Sequence, residues 1–204
     1  MPARMVLVRH GESAGNVAGT LDTTLPGPSL SATGVAQVQR LADRWRPEGV
    51  VALFSSHAAR ALETAEILSN AQGLPVIRVD GIHEVGAGQL EGSAERNDWI
   101  VYDSVYAEWF AGRLRTRMPG GESGAEVLDR AVPPVREVAH DLGDQDAVII
   151  VAHGGIIRLI ACSLDPTIDA ADALANRLDN TAMVVLERSQ DEWTCIEWPG
   201  LRAR

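Results

Sequence analysis

The chain has 204 residues, of which 46% are hydrophobic and 23% are charged, and its formal net charge is −10. These proportions are typical of a folded globular protein and exclude a largely disordered one. The acidic balance disfavours a nucleic-acid or membrane-surface binder, although a local basic pocket could still hold a small anion. Because no apolar run approaches the length of a membrane span, we expect one cytoplasmic domain over residues 1–204.

Short apolar runs alternate with helical patterns in the first 92 residues. The apolar runs predict buried strands, and side-chain caps and glycines mark the helix ends. The predicted elements are a strand at 5–8, a helix from Ser31 to Trp45, a strand at 50–54, a helix at 58–71 stopped by Gly73, a strand at 76–79 and a Gly-rich loop at 80–92.

The second half begins with residues 93–118, an irregular helical insertion that could act as a lid. A capping box predicts the next helix, in which two prolines should disturb the backbone. The remaining elements are a helix from Ser123 to about Asp141 containing Pro133 and Pro134, a strand at 147–151, a helix from Gly154, and two antiparallel strands at 182–187 and 193–198 joined by residues 189–191.

This alternation of strands and helices predicts a single α/β domain. Its central sheet should be mostly parallel and flanked by helices on both faces, with an antiparallel strand near one edge. That edge could pair with a second copy, so a homo-oligomer is possible. In such sheets, ligands bind beyond the carboxyl ends of the strands, where functional side chains should therefore collect.

Candidate functional side chains follow four of the predicted strands. Arg9 and His10 end the first strand, and Arg60 lies in the helix after the second. Glu84 comes after the third strand, and His153 ends the fourth. The topology should therefore bring two histidines, two arginines and one glutamate into one crevice.

Two kinds of site are consistent with this set of residues. Two histidines and a carboxylate could bind a metal ion, but the cations of Arg9 and Arg60 would repel it. The same arginines suit a phosphate dianion. Gly154 and Gly155, at a helix start, should add free backbone N–H groups. We therefore expect a phosphate site without a metal or another cofactor.

A bound phosphate suggests a role for each group. Neighbouring arginine charges should keep His10 neutral, and a neutral imidazole can attack phosphorus to form phosphohistidine. Arg9, Arg60 and His153 would stabilise the charge on the transferred group. Glu84 would protonate the leaving oxygen and then serve as base for water, provided that the bound dianion keeps it protonated.

Six short motifs occur in order along the chain. They are R-H-G-E-S-x-x-N at 9–16, L-S-x-x-G-x-x-Q at 30–37, S-S-x-x-x-R-A-x-x-T-A at 55–65, E-x-x-x-G-x-x-E-G at 84–92, P-G-G-E-S at 119–123 and V-A-H-G-G at 151–155. This ordered series resembles the signature of the histidine phosphatase superfamily, which has the phosphoglycerate mutase-like fold. Any one motif alone is weak evidence, whereas the series is specific.

The resemblance implies the same residue roles. His10 would be the phosphorylated nucleophile and Glu84 the proton donor, with Arg9, Arg60 and His153 around the phosphate. Matching positions make Ser13, Asn16 and Gly154 further candidates for contacts to the phosphate or substrate. The resemblance implies no metal requirement.

The resemblance covers two activities. Residues 17–22, which follow Asn16, form a shorter loop than in phosphoglycerate mutases and lack their T-G-W-like element. The mutases are also longer and close a flexible tail over the site. A shorter, more open site favours hydrolysis of a small phosphate ester. A mutase-type phosphotransferase is the alternative, and a non-catalytic phosphate-binding module is a third.

Residues 93–118 are expected to set specificity rather than the chemistry. Arg113, Arg115 and Arg117 form either a solvated face or part of a mobile lid over an acidic substrate. An aromatic series at near-helical spacing suggests packing more than base stacking. Its members are Trp99, Tyr102, Tyr106 and Trp109.

Overall fold

A six-stranded sheet forms the centre of the computed structural model, which describes residues 2–190 and 192–200. The order across the sheet is β3-β2-β4-β1-β5-β6. The strands are β1 (Arg4–Arg9), β2 (Val50–Ser55), β3 (Val76–Arg78), β4 (Ala147–Ala152), β5 (Met183–Ser189) and β6 (Glu192–Glu197).

Strands β1 to β4 run parallel, whereas β5 is antiparallel to β1 and β6 is antiparallel to β5. The predicted sheet is therefore confirmed, with its antiparallel pair at one edge. Every residue of β4 is buried because neighbours cover both of its faces, as its unbroken apolar sequence indicated. Met1, Asp191 in the predicted turn and residues 201–204 lie outside the described residues.

Seven helices cover both faces of the sheet in the described part of the chain. They are α1 (Ala14–Ala18), α2 (Ala32–Arg44), α3 (Ala59–Gln72), α4 (Arg96–Phe110), α5 (Gly124–Val138), α6 (Gly154–Leu164) and α7 (Ala170–Ala175). None of these helices is long and apolar enough to cross a bilayer.

Alternate residues of β1 enter different cores. Met5 and Leu7 pack with apolar residues of α4 to α7, whereas Val6 and Val8 pack with those of α2 and α3. This division follows from the two-residue period of a strand, which points successive side chains to opposite faces. Helices on both faces thus bury the sheet and leave its carboxyl edge for the loops.

Several element boundaries differ from the sequence prediction. Helices α1 and α7 were not predicted, and residues 111–118 form turns rather than helix. Helix α5 runs through Pro133 and Pro134 without a break and ends at Val138, short of Asp141. Pro133 is exposed and Pro134 is partly exposed, so solvent can satisfy the carbonyl groups that lose their helical partners.

Candidate active site

A cleft of about 130 Å³ opens at the carboxyl edge of the parallel strands. It contains side chains from β1, from the helices that follow β2 and β4, and from the loop after β3. Its wall includes Arg9, His10, Arg60, Glu84, Gly154 and Gly155, with Ser13, Asn16, Asp22, Trp99, Tyr102, Asp103, Tyr106, Arg158 and Arg177 farther round. The topology therefore brings together the strand-end residues that the sequence singled out, with His153 directly behind them.

The hydrogen bonds of His10 define its tautomer. Its Nδ1 lies 2.6 Å from the carbonyl oxygen of Gly11, which can only accept, so Nδ1 carries the proton. The Nε group of Arg60 donates to His10 Nε2 at 3.1 Å. Nε2 is therefore the unprotonated nitrogen, and its lone pair is the nucleophilic one.

Backbone contacts fix the loop that carries His10. The N–H of Gly11 donates to Thr64 Oγ1 at 3.1 Å, and Asn180 Nδ2 donates to the carbonyl oxygen of His10 at 3.1 Å. A Cβ atom on Gly34 would lie 2.0 Å from the carbonyl oxygen of Glu12, so only glycine lets α2 approach this closely. These contacts explain why residues 30–37 and 55–65 belong to the same motif series as residues 9–16.

Both site histidines are held in the neutral form. Burial, followed by the charges of Arg60 and Arg9, lowers the pKa of His10 well below its ordinary value of 6.5. Burial and the Arg60 charge likewise lower the pKa of His153. An uncharged imidazole at neutral pH is what a nitrogen nucleophile requires.

His153 lies behind His10 rather than in the cleft wall itself. It is fully buried, and its ring meets that of His10 nearly edge-on, with 5.2 Å between the ring centroids. Its Nε2 lies 2.9 Å from Ser56 Oγ. That hydroxyl follows β2, so the S-S segment serves to orient His153.

The site contains buried nitrogen atoms without hydrogen-bond partners. Within residues 2–190 and 192–200, four buried side-chain nitrogen or oxygen atoms have no hydrogen-bond partner. Three belong to the predicted site: Arg9 Nε, Arg60 Nη1 and His153 Nδ1. Leaving such a group unpaired costs about 1–3 kcal/mol, so their clustering indicates that a polar ligand completes the site.

Glu84 occupies the helix start that the sequence analysis had left free for phosphate. The Gly155 and Ile156 N–H groups donate to its carboxylate at 3.0 Å each, and its own neighbour Val85 donates at 2.9 Å. The expectation of a free Gly155 N–H was therefore wrong, because a carboxylate competes well for the positive end of a helix. Gly154 remains in the cleft wall.

The loop that carries Glu84 is held from α5. Arg130 donates to the carbonyl oxygens of His83 and Glu84, at 3.1 and 3.3 Å, and also to that of Gly81. Glu122 pairs with Arg130 at 2.6 Å. The P-G-G-E-S motif therefore acts on the site indirectly, by orienting the arginine that holds the Glu84 loop.

Ser13 and Asn16 line the cleft, but they also build α1. Ser13 Oγ accepts from the Asn16 N–H, and Asn16 Oδ1 accepts from the Ser13 N–H, which makes a capping box. Asn180 Nδ2 also donates to Asn16 Oδ1 at 3.1 Å. Their contact with substrate remains a prediction, to which the structure adds this positioning role.

Sequence reasoning missed four charged residues of the cleft. Arg158 is buried, with its guanidinium 5.3 Å from the Tyr106 ring centroid, and Arg177 pairs with Asp103 on α4. Asp22 accepts a hydrogen bond from Thr20 Oγ1. A signal did exist for Arg158, which lies one helical turn after Gly154, whereas Asp22, Asp103 and Arg177 reach the cleft only through tertiary contacts.

The arginines of residues 93–118 lie away from the cleft lining. Arg113 pairs with Glu108, and Arg117 pairs with Glu126 at 2.6 Å, both on the surface. Tyr102, Tyr106 and Trp109 are buried in the core, and Trp99, which lines the cleft, donates to the Gly19 carbonyl oxygen at 2.9 Å. The aromatic series thus packs α4 onto the site, as expected.

Within residues 2–190 and 192–200, no group of three or more His, Cys, Asp or Glu side chains is arranged to hold a metal ion. Cys162 and Cys195 are free thiols. Burial raises the pKa of Cys195 to about 11, so this thiol is protonated at neutral pH.

Comparison with known proteins supports one family. Residues 5–199 match the model of the histidine phosphatase superfamily, branch 1. The chain is 28% identical to a metal-independent phosphoserine phosphatase of Arabidopsis thaliana, covering 95% of this chain and 80% of that protein. It is 30% identical to phosphoserine phosphatase 1 of Hydrogenobacter thermophilus, covering 79% and 75% of the two chains.

Solved structures agree with this assignment. A mycobacterial glucosyl-3-phosphoglycerate phosphatase, determined with VO3, superposes with a TM-score of 0.76 at 26% identity. The match covers 96% of this chain and 98% of that one. With the site geometry and the family model in agreement, the chain belongs to the histidine phosphatase superfamily, branch 1.

Proposed function

We propose that the chain hydrolyses small phosphate monoesters through a phosphohistidine at His10, without a metal ion. The family and its phosphatase relatives already make it a phosphomonoester hydrolase of the histidine phosphatase type. The proposal adds the residue roles. One observation carries it: buried nitrogen atoms of Arg9, Arg60 and His153 without hydrogen-bond partners occur in the same site as an unprotonated His10 nitrogen.

On phosphate binding, the Arg60 guanidinium would exchange its bond to His10 for bonds to the phosphate. Arg60 Nε donates to His10 Nε2, which occupies the nucleophilic lone pair. A bound phosphate would draw this guanidinium to its oxygens and leave Nε2 free to attack. Arg9 would supply the second cation, and such charge-assisted contacts are about twice as strong as neutral ones.

The chemistry then takes two steps. His10 Nε2 forms a bond to phosphorus while the ester P–O bond breaks, and Glu84 gives its proton to the leaving oxygen. Water next attacks the phosphohistidine, the P–N bond breaks, and the water proton passes to Glu84. The products are an alcohol and inorganic phosphate, and the enzyme returns to its starting state.

We propose hydrolysis rather than phosphoglycerate mutase-type transfer because the segment after Asn16 is short. Glu91 fixes the chain directly after this segment by accepting from the Thr23 and Thr24 N–H groups, at 2.6 and 3.0 Å. We also propose that residues 93–118 act as a lid, since Trp99 lines the cleft and donates to the Gly19 carbonyl oxygen, which ties this segment to the loop after α1. The free thiols of both cysteines support a cytoplasmic location.

The test is hydrolysis of p-nitrophenyl phosphate in excess EDTA. The parent should release nitrophenolate at the same rate with and without EDTA, and His10→Ala should lose at least a thousandfold in kcat. His140→Ala, which removes an exposed histidine, is the matched control and should retain parent activity. Loss of activity in EDTA, or a His10→Ala variant as active as the parent, contradicts the mechanism.

A further inference from the structure

The charges of the cleft wall set a limit on what the substrate can carry besides its phosphate. Four arginines line the cleft: Arg9, Arg60, Arg158 and Arg177. Arg9 and Arg60 hold the buried donors without partners, so these two residues are available to the phosphate. Whether the site can also bind a carboxylate on the alcohol part of the ester depends on Arg158 and Arg177.

Both of those arginines already have partners within the chain. Arg158 bonds backbone carbonyl oxygens through Nε, to Gly154 at 3.3 Å, and through Nη1, to Ala173 and Leu174 at 3.4 and 3.2 Å. Arg177 is joined to Asp103 of α4 by an ion pair. An anionic leaving group could recruit Arg177 only by leaving the Asp103 carboxylate unpaired beside it.

The cleft also carries negative groups. Asp22 lines it, and its carboxylate accepts from Thr20 Oγ1 while its electrostatic effect reaches Arg60. The Asp22 carboxylate also lies directly against Gly15, since a Cβ atom added there would be 2.0 Å from Asp22 Oδ2. A substrate carboxylate would therefore meet fixed like charge, which repels it.

The same groups suit hydroxyl groups. Carboxylate oxygens accept hydrogen bonds from alcohols, and the Asp22 and Asp103 side chains offer them from two different elements. The Trp99 ring, held by its bond to Gly19, adds an apolar face to the same cleft. An uncharged chain of hydroxyl-bearing carbons would use both features.

We propose that the alcohol released by this enzyme is uncharged and rich in hydroxyl groups, so that its substrates are sugar or polyol monophosphates. Asp22 and Asp103 are the residues that select against acids. This inference rests on the proposed phosphatase activity and names its substrate class.

The experiment compares esters that differ by one carboxylate. Glycerol 3-phosphate is paired with 3-phosphoglycerate, and glucose 6-phosphate with 6-phosphogluconate, while p-nitrophenyl phosphate reports the basic phosphatase chemistry. In at least one pair, kcat/KM should favour the neutral member at least tenfold. The Asp22→Asn variant should reduce that preference at least threefold, because it removes the charge and keeps the shape.

The Asp103→Asn variant should reduce the preference further, since it removes one carboxylate and also releases the charge of Arg177. Glu108→Gln is the matched control: it removes a charge from α4 outside the cleft lining and should leave the preference unchanged. A parent that prefers the acid of each pair, or hydrolyses only p-nitrophenyl phosphate, overturns the inference and leaves the phosphatase intact. A parent that hydrolyses none of the five esters overturns both.

Discussion

At the scale of single residues, the Glu84 side chain combines two features: it is bonded to the backbone of α6, and it faces the cleft. Its carboxylate accepts from α6 backbone N–H groups, and it also lines the cleft beside His10. These bonds hold the carboxylate in one position, so the same group can serve both chemical steps without moving. Fixed geometry of this kind is a main source of general acid–base efficiency.

The Glu84→Gln variant tests this role. The amide keeps the size of the carboxylate and its oxygen can accept from one of the two α6 N–H groups, but the side chain cannot donate or accept the catalytic proton. With p-nitrophenyl phosphate, whose leaving group departs as a stable anion, we expect a burst of about one nitrophenolate per enzyme followed by slow turnover. With an alkyl phosphate, kcat should fall by about 10²–10⁴ without a burst.

Rapid-mixing absorbance measurements on p-nitrophenyl phosphate give the burst amplitude directly. Glu66→Gln, which changes an exposed glutamate on α3, is the control and should behave as the parent. If Glu84→Gln slows both esters equally and shows no burst, then Glu84 positions α6 and does not transfer protons.

At the scale of elements, the start of α6 is the most crowded part of the site. A Cβ atom on Gly155 would lie 2.0 Å from the Tyr106 hydroxyl oxygen and 2.7 Å from Glu84 Oε1. A Cβ atom on the preceding residue, Gly154, would meet Arg9 Cδ at 3.3 Å, a distance that a flexible side chain can relieve. Two adjacent glycines therefore have different tolerance for a methyl group.

This difference predicts the behaviour of two alanine variants. Gly155→Ala should lower kcat/KM at least a hundredfold and unfolding free energy by about 1–3 kcal/mol, because the methyl group separates α6 from Glu84 and α4. Gly154→Ala should stay within tenfold of the parent in kcat/KM. Steady-state kinetics and urea unfolding measure both, and equal effects would contradict the close packing between α6 and α4.

At the scale of the whole molecule, the buried histidines couple folding to pH. The unfolded chain binds a proton at each histidine near pH 6.5, whereas burial and nearby arginines lower the folded pKa of His10 and His153 well below that value. Below pH 6.5 the unfolded state therefore binds more protons, so stability falls as pH falls through this window. Above pH 6.5 this contribution is complete.

Urea unfolding at pH 7.5, 6.5 and 5.5 measures the effect. The free energy of unfolding should drop between pH 6.5 and 5.5 by up to about 1.4 kcal/mol for each buried histidine. His10→Gln should make the drop smaller, and His140→Gln, at an exposed position, should not change it. An unchanged stability across this range would contradict a neutral, buried histidine pair.

The amino-acid sequence by itself determined the sheet, most of its helices and the central residues of the site. Apolar runs in β1, β2 and β4 have few alternatives to a buried strand, and functional groups placed directly after strands must meet at one edge. The motif series around His10, Arg60, Glu84 and His153 followed from the same local information. The sequence did not predict α1 and α7, because helices of only one or two turns have too few residues to show a helical pattern.

Only the tertiary structure decided which groups the polar side chains and backbone N–H groups of the site contact. That Glu84 takes the Gly155 N–H, that His153 lies behind His10, and that Arg130 holds the Glu84 loop all depend on contacts between elements distant in the chain. The same is true of Asp103 and Arg177, which form an ion pair in the cleft wall. Local sequence patterns specify which residues end a strand, but the partner of a buried polar group is set by packing between elements.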